Sequence, residues 1–157
     1  MSPQRVRLDH FRTSCAIREA NLADAAALAG LMCELGYETT ENEMAKRLES
    51  IVSDARYKTF VAVNDGQVCG MIGTYAGQSY EHNDLSGRIV ALVVFKAMRR
   101  RGIARRLIKT AEEDFSRRNI TRIALTTHLT REDAHRFYEE LGYERNGFRY
   151  AKNLRRT

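Results

Sequence analysis

The sequence predicts an α/β (α+β) fold in which helices cover one mixed sheet. Apolar residues switch along the chain between helical spacing and short strand-like runs. Capping and turn residues stand where those periods change. The order that results is β-α-α-β-β-β-α-β-α-β, which gives four helices and strands that need both hairpins and a helical crossover. With 157 residues, 43% hydrophobic and 29% charged, the chain can bury one core without staples. Residues 1–15 read as a flexible lead-in and residues 16–157 as one domain.

Ile17 to Ala20 is a short strand candidate. Asn21 then offers a helix cap, with Asp24 three residues on. Leu28, Leu31, Met32 and Leu35 share a helix face, and Gly36 ends that helix. Thr40 and Glu43 have the form of a capping box, followed by Met44, Leu48 and Ile51 on one face. Thr59–Val63 and Val68–Tyr75 read as strands joined by the tight turn Asn64-Asp65-Gly66. Residues 76–86 are polar and predict a loop. Ile89–Phe95 is an unbroken apolar run, the pattern of a strand buried on both faces. Ile103, Leu107, Ile108, Ala111 and Phe115 mark a helix, and Ile123–Thr127 another strand. Thr130 caps a last helix carrying Ala134, Phe137, Tyr138 and Leu141, closed by Gly142; Phe148–Leu154 is expected to be a final strand.

Charge narrows the function classes. The net charge is +6, from 26 Lys+Arg against 20 Asp+Glu, which favours an anionic partner. Arg99, Arg100, Arg101, Arg105 and Arg106 cluster around one glycine. No aromatic stacking platform or recognition-helix signature lies nearby, so a nucleic-acid module ranks below an enzyme. No apolar run is long enough for a membrane span, and the first fifteen residues do not read as a signal peptide. Cys15, Cys33 and Cys69 have no metal spacing, and the histidines are scattered. The expectation is a cytoplasmic protein with reduced thiols and no metal.

The richest segment joins the apolar run to the next helix: Val94-Phe95-Lys96-Ala97-Met98-Arg99-Arg100-Arg101-Gly102-Ile103-Ala104-Arg105. The first amides of a helix lack internal acceptors and carry partial positive charge. Around a glycine such amides can surround a diphosphate. Arg99–Ala104 resembles the acetyl-CoA signature [Gln/Arg]-x-x-Gly-x-[Gly/Ala] of the GCN5-related N-acetyltransferase superfamily. The resemblance covers residues 17–154 and implies a mostly antiparallel central sheet with a splayed central strand. It implies that Leu92, Val93 and Val94 offer backbone groups to the pantetheine arm of acetyl-CoA. It also implies that backbone groups from Arg100 to Arg105, through Arg101, Gly102, Ile103 and Ala104, hold the diphosphate, with Arg99 as a further cofactor-binding residue and arginine side chains within reach of the 3′-phosphate.

A second motif, Ala134, Phe137, Tyr138, Gly142 and Tyr143, resembles that superfamily's A-x-x-F-Y-x-x-x-G-[F/Y] helix. The resemblance implies that its tyrosine, here Tyr138, protonates the departing CoA sulfur, and Arg131 stands where many relatives place an asparagine on the pantetheine. A thiol of ordinary pKa about 8.5 leaves as an anion, so a phenol beside it has a physical task. The superfamily's acidic bases are missing at Ala91 and Thr126. Glu81, His82, Asp84 and His128 are alternatives, as is a water chain, because a primary amine with pKa near 10 must lose a proton before attacking. Backbone amides near Val93 or Val94 are candidate oxyanion donors. Nothing in the sequence marks Cys69 as an activated thiol, which favours direct transfer in a ternary complex. Glu34, Glu38, Glu41 and Glu43 read as a solvated face rather than an acidic entrance.

Within the superfamily the chain is similar to aminoalkylphosphonate and other small-amine N-acetyltransferases. The resemblance therefore implies acetyl transfer to a primary amine of a small molecule, with a protein N-terminus or lysine as the alternative acceptor, no nucleic-acid or membrane partner, and a homodimer.

Overall fold

The computed structural model describes residues 15–127 and 132–155. The chain forms two compact units, the first running to Ile123 and the second from Ala124 onward.

The first unit opens with strand β1 (Cys15–Glu19), which begins inside the expected lead-in: Cys15 already pairs with Asn64. Asn21 caps a single 3-10 turn, Leu22–Asp24, by accepting from the Ala23 amide at 2.9 Å, while Asp24 accepts from the Asn21 amide at 2.9 Å. The turn leads into α1 (Ala25–Leu35), stopped by Gly36 at φ 105°. Thr40 and Glu43 close the expected capping box on α2 (Glu41–Val52), at 3.2 and 2.8 Å. Such a cap contributes about 1 kcal/mol. Leu28 and Leu31 of α1 and Met44 and Leu48 of α2 pack with Val61, Met71 and Val93 of the sheet into one core.

Asp24 also locks α1 to the sheet edge. Arg18 donates to both of its oxygens at 2.8 and 2.9 Å, and the Asp24 side chain is only 7% exposed. The guanidinium holds the Asp24 carboxyl below its ordinary pKa, opposed by burial and helped by the Asn21 amide. A carboxylate whose folded pKa is depressed adds stability above the unfolded value and loses it as pH falls through the folded one. Asp24→Asn is expected to cost about 1 kcal/mol at pH 7. The gap from wild type should narrow below about pH 4, as measured by urea midpoints across pH.

Strand β2 (Tyr57–Asn64) turns through Asp65 and Gly66, both at positive φ, into β3 (Gln67–Gln78). That two-residue turn matches the strand twist of a hairpin. β3 pairs with β4 (Leu85–Val94) through Gln78↔Leu85, so the predicted loop 76–86 contracts to 79–84. Cross-strand hydrogen bonds override the polar character of its ends.

The expectation that β4 is buried on both faces holds at its C-terminal end, where Val93 and Val94 are both buried, and fails at Val90. Val90 is 54% exposed, and the register steps from Gly73↔Ala91 to Thr74↔Ile89, which leaves Val90 as the extra residue of a β-bulge. Before the bulge, Gly87 lies against Phe115; a Cβ there would come within 2.9 Å of that ring. After the bulge, Ala91 and Val93 join the core of α1 and α2. All three positions are odd-numbered, so the bulge reverses which face odd residues occupy.

Helix α3 (Ile103–Arg117) carries Leu107, Ile108, Ala111 and Phe115 on its buried side, as the spacing predicts. Its buried Asp114 receives Arg118 at 2.6 Å and Lys58 of β2 at 3.3 Å. The sheet order is β1-β2-β3-β4-β5, with β5 (Ile123–Leu125) last. β1 to β4 are antiparallel; the helical crossover from β4 to β5 makes the sheet mixed.

The second unit contains α4 (Glu132–Glu140). Gly142, at φ 91°, ends it, with the Tyr143 amide returning to the Tyr138 carbonyl at 3.0 Å. The final strand expected over 148–154 does not form. That stretch has no ladder, and Phe148, Tyr150 and Leu154 are 84%, 92% and 85% exposed. Alternating apolar residues make a strand only where a partner edge receives them. Among the described residues no helix is long and apolar enough to cross a membrane.

Candidate active site

The end of β4 and the start of α3 form a turn whose backbone is shaped by two left-handed residues. Lys96–Met98 makes a 3-10 turn, Arg100 has φ 62°, and Gly102 has φ 76° at the N-cap of α3. No side chain caps this helix start. The Arg106 amide bonds to the Gly102 carbonyl at 3.1 Å as the first helical bond, so the amides of Ile103, Ala104 and Arg105 precede any helical acceptor. A Cβ on Gly102 would have nothing within 4 Å, so the space over the turn is open. Ile103 is 4% exposed and anchors the turn from below, while Arg100, Arg101 and Arg105 lie on the surface and Ala104 is half-buried. Bare amides, a positive helix end, open space and arginines suit a diphosphate, and the residues fit that group.

Val93 and Val94 are buried and Leu92 half-buried. They pair with Met71, Gly70 and Ile72 of β3, which occupies one edge of β4. Any backbone group these residues offer a ligand belongs to the opposite edge.

Arg99 is placed differently from the other arginines. Its Nε donates to the Val94 carbonyl at 3.1 Å, and its terminal nitrogen lies 3.4 Å from Glu34 of α1. The same Glu34 oxygen accepts the Lys96 amide at 2.7 Å. The reading of Glu34 as part of a solvated face is thus corrected; its partners stand 62 and 65 residues away, and no local pattern signals them.

Two other groups lose standing as chemical actors. Burial pushes the Cys69 thiol up to about 11, with Cys15 adding to the shift, so the group is protonated at neutral pH. Asp84 pairs with Arg122 at 2.7 Å, and this guanidinium holds its carboxyl below the usual range. A carboxylate so held is a weaker base. Among the described residues no group of three or more His, Cys, Asp or Glu side chains stands ready for a metal.

In the second unit Tyr138 is half-buried on α4. Its ring lies 5.3 Å from that of Phe137 and 6.0 Å from that of Tyr143, in tilted and edge-on arrangements. The Tyr143 ring and the return of its amide to the Tyr138 carbonyl explain why the helix, the glycine and the tyrosine after it occur together. Arg131 and His128, the other candidates of this segment, lie outside the described residues, as does the Thr130 cap.

A strand that ends in a glycine turn and an uncapped helix suits the phosphate-holding part of an acyl-CoA enzyme, and the family comparison agrees. The chain belongs to the acetyltransferase (GNAT) family, whose model matches residues 25–143 and so spans both compact units. It is an N-acetyltransferase. It is 32% identical over 145 residues to the aminoalkylphosphonate N-acetyltransferase of Salmonella typhimurium, covering 89% of this chain and 92% of the relative. A GNAT family acetyltransferase of Staphylococcus aureus is similar in structure, with a TM-score of 0.77, 28% identity and coverage of 89% and 98% of the two chains. An aminoglycoside N-acetyltransferase in complex with CoA shares the fold at a TM-score of 0.79 and 18% identity, over 90% of this chain and 95% of its own.

Proposed function

We propose that this N-acetyltransferase moves acetyl from acetyl-CoA to the primary amine of a small molecule by direct attack in a ternary complex. The observation that carries the reading is the turn at Gly102: left-handed, open above, and followed by three amides with no helical acceptor. In this reading Arg100 to Arg105 hold the diphosphate, and backbone groups of Leu92–Val94 on the edge away from β3 hold the pantetheine arm. Arg131 is assigned to the same arm by its place in the motif.

Acetyl-CoA supplies an activated carbonyl and a thiol leaving group. Backbone amides near Val93 and Val94 stabilise negative charge on the carbonyl oxygen. Tyr138 gives its phenolic proton to the sulfur as the bond to carbon breaks. The amine sheds its extra proton to water, since Asp84 is committed to Arg122. The buried, protonated Cys69 speaks against an acyl-cysteine step.

A small acceptor is supported by the aminoalkylphosphonate N-acetyltransferase, a relative matched over 89% of this chain. The reading places the protein in the cytoplasm as a homodimer, acting without nucleic acid or membrane. Thiol release from acetyl-CoA, tested against aminophosphonates, other small amines, polyamines and peptides, decides the acceptor. Turnover with a small amine, and none with peptides, is expected. Release with peptides alone would reassign the acceptor, and release with no amine would defeat the proposal.

A further inference from the structure

We infer that Glu34 and Arg99 form a buckle that sets the shape of the cofactor turn, and that both are positioning residues for acetyl-CoA rather than ligands of it. The inference rests on the reading of the Gly102 turn as the diphosphate site.

The chemistry of the buckle follows from three bonds that meet between α1 and the end of β4. Glu34 Oε1 accepts the Lys96 amide at 2.7 Å, so a carboxylate from a distant helix satisfies the first amide of the 3-10 turn. The same oxygen attracts the Arg99 guanidinium at 3.4 Å. Arg99 then reaches back with Nε to the carbonyl of Val94, the last residue of β4, at 3.1 Å. The 3-10 turn is thereby clasped on both sides: its first amide to α1, and the residue that follows it to the strand it leaves. A guanidinium can make both contacts because it has donors on separate nitrogens; a lysine ammonium has one centre and cannot span them.

This arrangement divides labour among the arginines. With its charge matched by Glu34, Arg99 contributes less to attracting an anion than Arg100, Arg101 or Arg105 do. Its contribution is geometric. Immediately after Arg99 the chain enters two left-handed conformations, at Arg100 and Gly102. A non-glycine residue there is strained and persists only where its neighbours hold it. The Glu34–Arg99 contact supplies that hold at the entrance of the turn. The pair is half-exposed on the arginine side, 50% against 28% for the glutamate, so its role in global stability is small.

Glu34→Ala and Arg99→Ala are each expected to raise KM for acetyl-CoA about fivefold while kcat at saturation changes less than about twofold. In the double variant the KM rise should fall short of the product of the two single changes, because the residues share the Glu34–Arg99 contact. Glu34→Gln keeps an acceptor for the Lys96 amide and should restore part of the loss, whereas Arg99→Lys should not. Hydrogen exchange of the Lys96 amide should quicken about tenfold in Glu34→Ala. Additive effects of the single changes, a fall confined to kcat, or an unaltered KM would overturn the inference. Calorimetry with CoA on the wild-type protein separates the two levels. If the wild type binds no CoA the functional reading fails, and the Lys96 exchange rate then decides the buckle by itself: quickened exchange upholds it, unchanged exchange refutes it.

Discussion

Tyr138→Phe is expected to reduce kcat by about 10²-fold while leaving the affinity for CoA within about twofold of wild type. The substitution removes one hydroxyl and keeps the ring that packs between Phe137 and Tyr143. A role in packing alone would therefore survive it. What changes is the fate of the sulfur: without a proton donor the thiolate must leave as a free anion, and that cost falls on the chemical step. Steady-state kinetics with saturating acetyl-CoA, alongside calorimetry for CoA, give the two numbers needed. Full turnover in the variant would return Tyr138 to a structural part.

Gly102→Val is expected to weaken CoA binding by about 100-fold, the second large effect. Valine meets two obstacles there. At φ 76° a β-branched residue is strained by about 1–2 kcal/mol. Its side chain also fills the open space in which phosphate oxygens would approach the amides of Ile103, Ala104 and Arg105. The strain alone can be measured elsewhere in the same molecule. Gly66, in the β2–β3 turn, also has φ 76°, and a Cβ there would meet nothing within 4 Å. Gly66→Val should lower stability by a similar amount and leave CoA affinity untouched. If both variants lose affinity equally, the loss belongs to folding, and the Gly102 turn is not the cradle.

Much of this architecture was legible in the chain because its signals are local. Asn21 with Asp24 and Thr40 with Glu43 announce helix starts by side chains that reach only three residues, and both capping boxes are present. Gly36 and the Asn64-Asp65-Gly66 turn announce positive φ in the same way. The turn at Gly102 was readable because a glycine between an apolar run and an amphipathic helix marks a positive-φ position that other residues rarely take. Features that depend on distant partners were not readable. The Val90 bulge arises from register against β3, and an apolar run looks the same with or without it. The stretch 148–154 has the alternation of a strand and lacks a ladder. Arg99 matched the motif by position, but its guanidinium answers to Glu34, which no nearby pattern foretells. Tyr138 could be placed on its helix from spacing alone, while its chemistry came from family likeness.

The reversal of side-chain parity at Val90 means that β4 belongs to two neighbourhoods in turn. Its first half leans on Phe115 of α3 and its second half on the α1–α2 core, although the residue numbers run on without a break in their odd–even pattern. Substitutions at Gly87 and at Val93 are thus felt by different helices. A strand built this way lets the side chain of Val93 be retuned against α1 while Gly87 keeps its place under Phe115.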